Sequence, residues 1–117
     1  MPILTIEIVL QPKESIPNSL AKEIADKAGA IFGSGPAQTW VKLREIEAGH
    51  YAENGVAALE YFPVFVSVLK AELPSPEEME EEVKKLTQAI GAICHRPPEN
   101  VHIVYLPPGR GRVALWG

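Results

Sequence analysis

Apolar and polar positions along the chain run through the same pattern twice. Residues 3–10 are mostly apolar and β-branched, with Leu4, Ile6, Ile8 and Leu10 on one face and Thr5 and Glu7 on the other. A period of two predicts a strand with one fully buried face. Ser15 offers an N-cap and Pro17 lies in the first turn of a predicted helix. Its apolar positions are Leu20, Ile24, Ala28 and Ile31, and Gly33 supplies its stop. Residues 38–47 predict a second strand, with Val41 and Leu43 facing one way and Trp40, Lys42 and Arg44 the other. Gly49 to Gly55 reads as a loop or hairpin carrying His50 and Tyr51. The pattern then restarts. Residues 63–71 predict a third strand, and Ser75-Pro76-Glu77-Glu78 is a capping box with acids on the positive end of a helix dipole. Met79, Val83, Leu86, Ile90 and Ile93 form one stripe at steps of three and four, the clearest helix in the chain. Val101 to Leu106 predicts a fourth strand and Val113 to Trp116 a short closing one.

The two rounds are repeats. Gly-Ala-Ile stands at 29–31 and again at 91–93, and the same offset of 62 superposes Pro36 on Pro98, Gly49 on Gly111, Ala52 on Ala114 and Gly55 on Gly117. Pro2 and Pro63 are 61 apart, which calls for one inserted residue between strand and helix. Each half is then β-α-β with a tail, and a right-handed crossover makes its two strands parallel. The expected fold is α+β: a single domain over 1–117, repeat one at 1–62 and repeat two at 63–117, forming one four-stranded mixed sheet with two helices on one face. The other face is expected to carry Thr5, Trp40, Val66 and Val68 among Glu7, Lys42 and Arg44. A bare, partly apolar sheet face points to oligomerisation.

Composition narrows the function classes. Eleven basic against fifteen acidic residues give a net charge of −4, opposite in sign to the footprint of a nucleic-acid binder. No apolar run approaches the roughly 18–20 residues of a membrane span, and the first ten residues lack the features of a signal peptide. The single cysteine, Cys94, forms no internal disulfide and fits a reduced, cytoplasmic setting. His50, His95 and His102 lack metal-ligand spacing, and Gly109-Arg110-Gly111 opens no helix, so neither a metal nor a phosphate-binding cofactor is expected. The eleven prolines punctuate the elements rather than form a disordered tract.

Candidate chemistry centres on Pro2. Removal of Met1 leaves its nitrogen as a secondary amine. An α-amino group starts near pKa 8, and an apolar pocket or nearby arginines lower it by disfavouring the charged form. An amine near 7 is a good general base. The plain structural reading is a proline opening an edge strand, where its missing N–H is harmless. Arg110 and Arg112, flanking Gly111, suit a carboxylate through the planar guanidinium fork, or are solvated loop residues. Lys13 and Arg44 are weaker cations for that task. His102 reads as a strand residue or a ligand, and Trp116 as a wall of an apolar pocket or as packing between subunits.

Met1-Pro2 before the first strand, Pro12 with Ser15-Ile16-Pro17, Ala48-Gly49-His50-Tyr51 with Gly55, Pro98 to Ile103, and Val113 to Trp116 together resemble the tautomerase superfamily. The likeness is to its macrophage migration inhibitory factor branch and to the fused relatives of 4-oxalocrotonate tautomerase, and it covers nearly the whole chain. It implies a homotrimer with three active sites, each centred on an amino-terminal proline. The departures are specific. Ser34 stands where one branch has a lysine, Pro12 beside Lys13 where another has an arginine, and His102 where a tyrosine is expected. Pro63 mimics Pro2, but its nitrogen is an amide.

The expectation is therefore an isomerase of the keto-enol tautomerase kind, with Pro2 as general base on a small 2-oxo or enol carboxylic acid. Arg110, Arg112, His102, Lys13 and Trp116 are its candidate substrate-binding residues. The alternatives are a decarboxylase, hydratase or dehalogenase on the same fold, a non-catalytic trimeric binding or signalling protein, and a ferredoxin-like nucleic-acid module with the same strand order.

Overall fold

A computed structural model describes residues 2–114. Strand β1 (Ile3–Val9) leads to helix α1 (Leu20–Phe32) and strand β2 (Trp40–Ile46); strand β3 (Val64–Leu69) leads to helix α2 (Pro76–Cys94) and strand β4 (Val101–Tyr105). The strands form one sheet in the order β2-β1-β3-β4, with β1–β2 and β3–β4 parallel and the central β1–β3 pair antiparallel. A ferredoxin-like module needs its β-α-β units split by another strand. Here both units are unsplit, so that topology is excluded.

Alternation explains the layers. Leu4, Ile6 and Ile8 of β1 pair with Val68, Val66 and Val64 of β3, and all six are buried. Leu20, Ile24 and Ala28 of α1 and Leu86, Ile90 and Cys94 of α2 close over them in one core. Val66 and Val68 thus belong to the helix-covered face, against the expectation from sequence. The unbroken run Val-Phe-Val-Ser-Val-Leu offers little polarity by which to choose a face. The open face of β3 carries Phe65, Ser67 and Leu69 beside Glu7, Thr5 and Ile3 of β1. Trp40, Lys42 and Arg44 continue it on β2, and exposed His102 and Val104 on β4.

Helix α2 begins as expected: the Ser75 hydroxyl accepts from the Glu78 amide while Glu78 accepts from the Ser75 amide. Helix α1 does not begin at Ser15. It starts at Leu20 after Ser19, which makes no side-chain cap. Pro17 biases Ile16 away from the helical region, and residues 11–14 are already tied into a turn by Glu14 N–H to Gln11 O at 3.0 Å. Gly33 ends α1 in the left-handed region at φ 69°. Val113 lies in a bend and Ala114 in irregular chain, so no closing strand forms among the described residues; its remainder, with Trp116, lies outside them. Among the described residues no helix is long and apolar enough to cross a membrane.

The ladders also fix the repeat. Ile3 pairs with Trp40 and Phe65 with His102, so the offset of 62 holds through strands as well as helices. Val64, not Pro63, occupies the place equivalent to Pro2, and no inserted residue is needed.

Candidate active site

Pro2 is buried at the head of β1, and its carbonyl accepts from the Trp40 amide at 3.0 Å. At the next residue, Ile3, begins a pocket of about 210 Å³ lined also by Leu69, Lys70, Ala71 and, from the turn after β4, Gly109, Arg110, Gly111 and Val113. The turn is held against the end of β3 by Gly109 N–H to Lys70 O at 2.7 Å and Arg110 N–H to Ala71 O at 3.3 Å. Gly109 is needed for that approach, since a Cβ there would lie 3.3 Å from both the Lys70 carbonyl and Leu69. Gly111 reverses the chain at φ 79°, where a side chain is strained.

The predicted site residues separate by place. Arg110 lines this pocket, and Pro2 directly precedes its lining residue Ile3. The Arg110 side chain is exposed and pairs with Glu72. Arg112 is spent on the turn itself, donating to the Pro107 and Pro108 carbonyls at 2.6 and 2.8 Å. Lys13, at φ 64° in the turn after β1, sits at the far end of that strand, roughly 20 Å from Pro2 at about 3.3 Å per residue. His102 is opposite Phe65, four residues down β3 from Leu69. It packs on the Phe65 ring, centroids 5.5 Å apart, and Phe65 on Tyr51. Within one subunit, then, Lys13 and His102 do not join this pocket: the strand direction carries both to the opposite end of the sheet. Trp116 lies outside the described residues.

Two polar clusters were not anticipated from sequence. On the helix-covered face, Lys70 Nζ lies 3.1 and 3.2 Å from the Glu82 carboxylate oxygens and 4.9 Å from the centroid of the Phe32 ring. Tyr105 donates its hydroxyl to the same carboxylate at 2.5 Å. Burial and that hydrogen bond hold the Tyr105 phenol well above its ordinary range. The sequence signal was a charge at an inward position: Lys70 continues the register of Val64, Val66 and Val68, and Glu82 stands four residues before Leu86 on the apolar stripe. At the other end of the sheet, buried Arg96 donates to the carbonyls of Phe62 (2.7 Å), Cys94 (2.9 Å) and Val9 (3.0 Å) and to both Glu14 oxygens (2.9 and 2.7 Å). The hydrogen bond from Arg96 lowers the Glu14 carboxyl below its ordinary value.

No protein-family model and no curated protein matches the chain. Solved structures do. Pt0534 inactivated by 2-oxo-3-pentynoate superposes with a TM-score of 0.76 at 19% identity, over 98% of this chain and 92% of that one. The macrophage migration inhibitory factor from Trichinella spiralis gives 0.73 at 14% identity, over 98% and 96%. A fused 4-OT, a symmetric trimer, gives 0.72 at 20% identity, over 91% and 85%. At such identities the likeness is one of fold. With the unsplit β-α-β repeats and the strand order β2-β1-β3-β4, it gives this chain the fold of the tautomerase superfamily.

Proposed function

We propose that the protein is a homotrimeric isomerase of the keto-enol tautomerase kind, acting on a small 2-oxo or enol carboxylic acid. The observation that carries the reading is the burial of Pro2 at the head of β1 beside a partly apolar pocket with one arginine at its rim. After loss of Met1, the Pro2 nitrogen is a secondary amine, and burial disfavours its charged form. The neutral amine takes a proton from carbon or from an enol hydroxyl and returns it at a neighbouring position. Arg110 binds the substrate carboxylate in place of Glu72 and stabilises the enolate charge. A trimer, the state of the fused 4-OT, covers the open sheet face. Inactivation of Pt0534 by an acetylenic 2-oxo acid supports this substrate class.

Turnover of phenylenolpyruvate tests the reading. Activity should rise with pH through an amine pKa below the reference value of about 8, because only the uncharged amine is a base. Pro2→Ala should lower activity without abolishing it. One residue added before Pro2 makes its nitrogen an amide, so activity should be lost while the fold survives. An extended protein that is folded and as active as the parent contradicts the mechanism. Sedimentation equilibrium should give three chain masses; a monomer at micromolar concentration contradicts the trimer.

A further inference from the structure

The repeat provides an internal control for the core. Under the offset of 62, Lys70 corresponds to Ile8, Glu82 to Leu20, Tyr105 to Leu43 and Phe32 to Cys94. At the Val64 end those four positions are apolar and pack in or against the core. At the Pro2 end three of them are polar and hydrogen-bonded to one another. An ion pair and a phenol thus stand at one end where the matched positions of the other form a hydrophobic cluster. Such a replacement brings little or no stability, because desolvation offsets the attraction between the charges. The polar set needs another reason for being beside Pro2.

Geometry supplies one. The β1–β3 register ends at Ile3 opposite Leu69, so the next pair outward is Pro2 and Lys70. Both lie on the helix-covered side, as Leu4 and Val68 do. From β3 the Lys70 ammonium reaches towards α1, over the Phe32 ring. Glu82 is drawn the other way, towards β4, by the Tyr105 hydroxyl. The strand order β1-β3-β4 sets Pro2, Lys70 and Tyr105 in sequence across this end of the sheet, with the Glu82 carboxylate bonded to the last two. Resting on the proposed role of Pro2, we propose that Lys70 is a positioning residue that holds the Pro2 amine in its uncharged form, with Glu82 and Tyr105 fixing the ammonium in place.

Among the described residues, Glu72, Arg110, Arg112 and Glu78 at this end of the sheet have other partners. From the end of β3, Glu72 pairs with Arg110 of the turn. Arg112 is bound to the Pro107 and Pro108 carbonyls. On α2, Glu78 closes the Ser75 capping box. Lys42 and Glu7 project from the opposite face of the sheet.

Titration of the Pro2 nitrogen by NMR, in protein labelled with ¹⁵N-proline, tests this without reference to turnover. Lys70→Met should raise the midpoint by about one pH unit, a tenfold gain in proton affinity, and Lys70→Arg should restore it. Glu82→Gln removes the negative end and should move the midpoint the other way. A merely structural role predicts movement in one direction for both variants, since loosening the packing hydrates the amine and raises its midpoint. Shifts of opposite sign support the proposal. Unchanged midpoints, or shifts of the same sign, overturn it. Should Lys70→Met fail to fold, Glu82→Gln decides by its sign alone: a fall supports the proposal, and a rise or no change overturns it. Opposite shifts without phenylenolpyruvate turnover would refute the proposed function and leave this inference standing. Turnover that depends on Pro2 with immobile midpoints would refute this inference alone.

Discussion

The two ends of the sheet are built from equivalent positions and finished differently. At the end of α2, Arg96 is buried and its guanidinium is divided among three carbonyls and Glu14. The equivalent residue at the end of α1 is Ser34, whose hydroxyl accepts from Thr39 at 2.7 Å. Arg96 seals its end by bonding the strand β1, the segment before β3 and the turn at 11–14 into one unit. Ser34 is too short to do so at the other end. One repeat supplies the clamp, and the other has Ser34 in its place. The same β-α-β frame thus carries an arginine clamp at one end and a serine at the matched position of the other.

The largest expected effect is at the clamp. Arg96→Met leaves Glu14 and three carbonyls without their donor, and should cost about 3–5 kcal/mol, the scale of breaking a buried ion pair. Urea unfolding measures it. Ser34→Ala removes one exchangeable hydroxyl contact and should cost under about 1.5 kcal/mol; equal losses would erase the distinction between the ends.

At the open end, Arg110→Ala should weaken a carboxylate substrate by about 1.5–3 kcal/mol, the range for hydrogen bonds to charged groups. Its ester should be little affected. Comparison of kcat/KM for the two substrates reads this directly, and equal losses would assign Arg110 to folding.

The shared Gly-Ala-Ile segment sharpens the comparison further. A Cβ on Gly91 would lie 2.7 Å from the Arg96 carbonyl, whereas one on Gly29 meets nothing nearer than Thr39 at 3.8 Å. Gly91→Ala should therefore destabilise by about 1–3 kcal/mol, as overpacking does. Gly29→Ala should stabilise by up to about 1 kcal/mol through helix propensity. Thermal melts of the pair check both signs.

The smallest effect is in the acid limb. The folded-state pKa of Glu14 is depressed below the ordinary 4.5. Its contribution is then fully present above the unfolded value and is lost as pH falls through the folded one. Stability measured downward from pH 5 should fall less steeply in Glu14→Gln than in the parent.

Much of this frame was legible in the sequence because it rests on local periodicity. The alternation in β1 and β2, the stripe and capping box of α2, and the repeated Gly-Ala-Ile each specify structure within a few residues. The face of β3 was misassigned because an apolar run has no period to read. The start of α1 was misplaced because Ser15 and Pro17 look like a cap until the turn at 11–14 is known. Pro2 and Arg110 were singled out because the Met-Pro start and the Gly-flanked turn are visible in one dimension. Arg96 with Glu14, and Lys70 with Glu82 and Tyr105, were not. Their partners are 82, 12 and 23 residues apart, and only the crossovers bring them together.

A reactive amine at Pro2 is open to capture by a conjugated electrophile. 2-Oxo-3-pentynoate is a conjugated ynone, so a neutral amine adds to its β-carbon, and the proton leaving nitrogen is taken up at the α-carbon. Peptide mass mapping after treatment at pH 8 is the direct test. One reagent mass per chain is expected, carried on a peptide beginning with Pro2, and none when a residue precedes that proline. A peptide that retains Met1 and carries no adduct, or an adduct placed elsewhere in the chain, would contradict it.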